Sequence, residues 1–90
     1  MAKRLIVTGR VQGVGYRDWV CGQAERLALR GWVRNRRDGS VEAVVEGDDT
    51  AVQAMIAAAR RGPPAARVDS VAVDDAGDGP FADFRRLPTG

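Results

Sequence analysis

The patterning of this chain predicts an α+β fold, a ferredoxin-like two-layer sandwich of order βαββαβ plus a short terminal strand. Three observations carry that expectation. Runs that alternate apolar and polar residues are interrupted by two stretches with apolar residues at three- and four-residue spacing. Each helical stretch follows a strand-like run, and the hairpin signal Asp38-Gly39 lies between the two. Right-handed β-α-β crossovers then place both helices on one face of an antiparallel sheet. At 90 residues the chain suits a single domain, residues 1–90, with one modest core.

The first strand, Lys3 to Thr8, alternates Leu5 and Val7 with Ile6 and Thr8. A glycine-bearing loop leads into a helix from Asp18 to Arg30. Val20, Ala24, Leu27 and Ala28 form its apolar stripe, and Gly31 is expected to cap its C-terminus. Trp32 to Arg37 reads as the second strand. Asp38-Gly39 suits a type I′ turn, which needs positive φ at both central residues. The partner strand, Ser40 to Glu46, carries Val41, Val44 and Val45. After Gly47-Asp48-Asp49, the run Thr50 to Gln53 fits a capping box that opens the second helix. Val52, Met55, Ile56 and Ala59 supply the buried side of that helix, and Gly62-Pro63-Pro64 stops it. Val68, Val71 and Val73 mark a strand from Arg67 to Asp74. A turn-rich stretch, Asp75 to Pro80, leads to a short strand around Phe81 to Leu87 containing Phe84. The end, Leu87 to Gly90, is expected to fray.

Composition narrows the chemistry. A hydrophobic share of 44% with 29% charged residues fits an ordered globular domain. No apolar run approaches the ~20 residues of a bilayer span and no signal-peptide pattern opens the chain, so no membrane partner is expected. The lone Cys21 cannot close an intrachain disulfide, which suits a cytoplasmic location; the thiol reads as a small buried hydrophobe. Histidine is absent, so zinc sites and histidine-based acid–base or nucleophilic catalysis are effectively excluded. Chemistry must rest on arginine, amides, backbone dipoles or carboxylates. The net charge of +2 permits an anionic partner. Yet Lys3 is the only lysine, so clusters such as Arg34, Arg36 and Arg37 reflect an arginine bias and are weak evidence for nucleic acid.

One segment departs from this plain background. Gly9-Arg10-Val11-Gln12-Gly13-Val14-Gly15-Tyr16-Arg17 joins the first strand to the first helix. Glycines there allow positive φ and close backbone approach to a ligand. Successive amides and the helix N-terminus then make an anion site, for which phosphate is the usual occupant. A tight strand-to-helix turn is the plain alternative, and the pattern is neither a Walker loop nor a dinucleotide fingerprint. Arg17 favours the anion site, since a cation at a helix N-terminus opposes the dipole unless an anion neutralises it. Asp18 suits the dipole but would repel that anion, so it is expected to point away. Asn35, the only asparagine, reads either as a turn residue or as a carboxamide able to orient water.

The segment Gly9 to Arg17 resembles the signature of the acylphosphatase family. Gly31-Trp32-Val33-Arg34-Asn35, followed by Asp38-Gly39-Ser40-Val41-Glu42, resembles that family's second signature at the expected distance. The likeness continues weakly through the second helix and Ser70-Val71 to Phe84. It implies the ferredoxin-like fold and hydrolysis of the carboxyl–phosphate anhydride of small-molecule acyl phosphates, without metal or cofactor. Inorganic phosphate would be product and inhibitor, and the chain would act as a monomer without nucleic acid. By this resemblance the phosphate-binding positions are Val11, Gln12, Gly13, Val14, Gly15, Tyr16 and Arg17, and Asn35 holds the attacking water. Arg36 replaces the small polar residue frequent after that asparagine, a change expected to touch substrate preference or surface charge. The good leaving group removes the need for a strong base, so the missing histidine is consistent. Rival readings are an RNA-binding domain, which needs clustered aromatics on central strands, a metal carrier, which needs paired cysteines, and a catalytically silent relative.

Overall fold

Alternation in the first run extends two residues past Thr8, so β1 spans Ala2–Arg10. The remaining elements are α1 Tyr16–Arg26, β2 Arg30–Asn35, β3 Val41–Glu46, α2 Asp49–Arg61, β4 Arg67–Asp75 and β5 Phe84–Arg86. The structure is a computed structural model that describes residues 1–77 and 79–90; Asp78, inside the expected turn-rich stretch, lies outside them. Among the described residues no helix is long and apolar enough to cross a membrane.

The five strands form one sheet of order β4-β1-β3-β2-β5. β1 pairs antiparallel with β3 and β4, and β3 pairs antiparallel with β2. β5 runs parallel to β2, which corrects the all-antiparallel expectation. The reason is directional: β4 ends at the edge of the sheet where β2 begins. The connection crosses that edge, with the Gly79 amide donating to Glu46 Oε2 at 2.7 Å, and enters β5 in the sense of β2.

Both helices lie on one face and touch each other. Leu5, Val7, Val33, Ala43 and Val45 from the sheet meet Val20, Ala24, Val52, Met55, Ile56 and Ala59 from the helices in one core. The Tyr16 hydroxyl, buried at the start of α1, donates to the Ala59 carbonyl of α2 at 2.8 Å. Burial pushes its phenol well above the usual range, so it stays a neutral donor. On the opposite face Glu42 is 4% exposed, held by Arg4 Nε at 2.6 Å and Arg34 Nη2 at 2.8 Å.

Local endings differ from expectation in instructive ways. α1 stops at Arg26, and Gly31 is not its cap. Ala28 takes the left-handed conformation at φ 55°. The Ala28 amide reaches the Glu25 carbonyl and the Leu29 amide the Ala24 carbonyl, the bond pair of a Schellman ending. Gly31 lies inside β2 at φ 135°, where a Cβ would collide with the Val44 carbonyl. The hairpin is not a type I′ turn, because Gly39 has positive φ and Asp38 does not. A turn closes from the Gly39 amide to the Arg36 carbonyl, and the Arg36 amide donates to the Ser40 carbonyl, the three-residue loop with a glycine bulge. Asp38 stabilises it, its Oδ1 accepting from the Ser40 amide and hydroxyl. α2 begins after Asp48 without a side-chain cap, so the capping box at Thr50 does not form. The chain end does not fray: the Leu87 amide donates to the Val33 carbonyl and the Gly90 amide to the Asn35 carbonyl.

Candidate active site

The site follows from strand direction. β1 and β2 both pair antiparallel with β3, so they run parallel to each other and end at the same edge of the sheet. The loop that leaves β1 and the last residue of β2 therefore meet there, in the kind of crevice beyond parallel strand ends where ligands bind. A cleft of about 240 Å³ opens at this place, lined by Val11, Gly13, Gly15, Tyr16, Arg17, Asp18, Asn35 and Arg86.

The loop conformation depends on its glycines. Gly13 and Gly15 hold φ of 73° and 77°, with open space where a side chain would project. Gly15 is the residue before α1 and no side chain caps the helix, so the first-turn amides have no intrahelical acceptor. Val11 and Tyr16 are each 1% exposed, so they present backbone rather than side chain to the cleft. Gln12 and Val14 are the two expected loop positions that do not line it. The Gln12 carboxamide instead donates to the Arg36 and Ser40 carbonyls, at 2.7 and 2.9 Å, tying the loop to the β2–β3 hairpin. Val14 packs against the core.

Arg17 and Asn35, far apart in sequence, line the same cleft. Arg17 Nη1 donates to the Leu87 carbonyl at 3.2 Å, which orients the planar guanidinium and leaves its other N–H groups for an anion. Asn35 ends β2 opposite Val41 across the hairpin, and its backbone carbonyl accepts from the Gly90 amide. Its Oδ1 is the buried side-chain polar atom, among the described residues, that has no hydrogen-bond partner. A buried carbonyl oxygen without a donor is costly, and such positions recur where a ligand or water binds. The carboxamide therefore does not serve as a turn residue. Among the described residues no three acidic or cysteine side chains gather as metal ligands.

Asp18 departs from expectation: it lines the cleft, and its Oδ1 accepts from Arg86 Nη1 at 2.7 Å. Cys21 is half-buried rather than fully buried. Burial, with Asp18 and Glu25 nearby, raises its thiol pKa.

A family model described as Acylphosphatase matches residues 3–86. The chain belongs to the acylphosphatase family. An acylphosphatase of Acidiphilium cryptum is 59% identical over 71 residues, covering 79% of this chain and 78% of the relative. One of Rhizorhabdus wittichii is 52% identical over 89 residues, covering 99% of this chain and 90% of the relative. The crystal structure of acylphosphatase from Bacillus subtilis superposes with a TM-score of 0.92 at 38% identity, covering 96% of this chain and 97% of that one.

Within this acylphosphatase fold the contribution of β5 and the residues after it is not legible in the sequence. Arg86 reaches the cleft, the Leu87 carbonyl holds Arg17, and Gly90 ties back to Asn35. A three-residue strand gives almost no alternation to read, and one arginine among many carries little signal.

Proposed function

We propose that the chain hydrolyses acyl phosphates in this cleft, with Arg17 and the loop amides binding the phosphoryl group and Asn35 positioning the attacking water. The observation that carries the reading is the unpartnered, buried Asn35 Oδ1 in the same cleft as Arg17 and the glycine loop. Water donates one O–H to Oδ1, which turns an oxygen lone pair toward phosphorus. That oxygen bonds to phosphorus as the P–O bond to the acyl group breaks, the electron pair of the broken bond leaves with the carboxylate, and the water's proton passes to a phosphoryl oxygen of the substrate. The products are a carboxylate and inorganic phosphate.

Catalysis of this kind is positioning plus stabilisation of charge on the equatorial oxygens. Each charge-assisted hydrogen bond contributes about 1.5–3 kcal/mol. The residues present supply donors and one water acceptor, so the reading needs no metal or cofactor. It takes the chain to be a cytoplasmic monomer, in keeping with its single half-buried thiol. The RNA-binding alternative needs aromatic rings clustered on the central strands. On the face away from the helices β1 and β3 carry Ile6, Thr8, Glu42 and Val44, and β2 carries Trp32, one ring covered by the Arg34 guanidinium rather than a cluster.

The test is phosphate release from a simple acyl phosphate such as benzoyl phosphate, with and without a chelator. Turnover that resists the chelator is expected. No turnover above the uncatalysed rate overturns the reading.

A further inference from the structure

The cleft holds an apparent contradiction. Asp18, immediately after Arg17, is among the residues that line a site read as binding a phosphoryl dianion. Asp18 has a reason to be there, since an acidic residue in the first turn stabilises the helix that carries Arg17. Its cost is repulsion of the anion. Among the described residues the direct partner of its carboxylate is Arg86 Nη1 at 2.7 Å, from the last strand and 68 residues away.

We propose that Arg86 is a positioning residue for phosphate binding: it neutralises Asp18 and holds that carboxylate off the phosphoryl group. The inference rests on the acyl-phosphate reading of the cleft. Arg86 itself has room to act, because both side chains are about half or more exposed, at 49% and 71%, and the bond between them is surface-held rather than locked in the core. The pair also connects α1 to β5 at the point where the adjacent Leu87 carbonyl orients Arg17. Charge and position at the end of β5 therefore serve the same anion, one through the side chain of Arg86 and the other through the backbone of Leu87, the next residue.

The roles of charge and scaffold separate in a double-mutant cycle of Arg86→Gln and Asp18→Asn. Inorganic phosphate is the probe, and its dissociation constant is read by titration calorimetry, independently of turnover. Unit charges several ångströms apart near a surface change a binding constant by roughly three- to tenfold. Arg86→Gln is expected to weaken phosphate binding by about that factor, more strongly at low salt than at high salt. Asp18→Asn in the Arg86→Gln background should restore affinity to within about twofold of the parent, and Arg86→Lys should retain most of it. Affinity unchanged in Arg86→Gln overturns the proposal. So does a loss that Asp18→Asn does not rescue, which assigns Arg86 a purely scaffolding role. If the parent protein binds phosphate but turns over no acyl phosphate, the functional reading fails while the cycle still judges this inference.

Discussion

At the scale of single residues, the proposed function separates binding from chemistry. Arg17 is planar, oriented by a backbone carbonyl, and sits beside the glycine loop. An ammonium at the same place keeps the charge but not the fork that matches two phosphoryl oxygens. Arg17→Lys is therefore expected to raise the inhibition constant for inorganic phosphate by an order of magnitude or more, read by steady-state inhibition. Near-parent inhibition in that variant would remove Arg17 from its role. Glu42 illustrates a charge that serves the fold instead. Burial alone would raise its pKa, but hydrogen bonds and charge from Arg4 and Arg34 outweigh it and hold the carboxyl below its ordinary 4.5. Its folded value is depressed, so the stability it contributes is present above the unfolded pKa and is lost as pH falls through the folded one. Glu42→Gln is expected to cost about 1–3 kcal/mol near pH 7. The difference from the parent should shrink below pH 4.5 in chemical denaturation series.

Among the elements, the two ends of one connection predict opposite outcomes for similar small changes. Ala28 occupies the left-handed position of the α1 ending, which glycine takes without a Cβ penalty. Ala28→Gly is thus expected to stabilise by about 0.5–1 kcal/mol, raising Tm by a few degrees. Gly31→Ala puts a Cβ against the Val44 carbonyl of a paired strand, where backbone must move. That variant should lose about 2–3 kcal/mol and roughly 10 °C or more of Tm. Thermal melts of both check the pair; equal and small shifts would mean the β2 register is not as described. These two positions also mark what sequence patterning could resolve. The helix stripe at Val20 and Ala24 was legible because burial forces periodicity. Its end was not, since a glycine three residues on looked like the better cap. In the same way Val52, Met55 and Ile56 announced the buried side of α2, while Thr50 suggested a cap that Asp48 displaces.

For the whole molecule, element order was readable because each hydrophobic run is long enough to show its period. Strand direction at the far edge was not, because β5 spans only Phe84–Arg86 and its parallel pairing depends on a connection that crosses the sheet. The candidate site divides along the same line. Its loop and Asn35 lie in local motifs, whereas Asp18, Arg86 and the Leu87 carbonyl come together only through tertiary structure. In the proposed function the sheet joins two tasks: the end of β1 supplies the phosphate nest, and the end of β2 supplies an acceptor for water. Asn35→Ala tests that division most directly, with kcat for a simple acyl phosphate and the inhibition constant for inorganic phosphate measured on the same preparation. The account predicts a fall in kcat of about 10²- to 10³-fold, the scale for losing one preorganised polar group, with phosphate inhibition within about twofold of the parent. Equal losses in both, or an unchanged kcat, would contradict it.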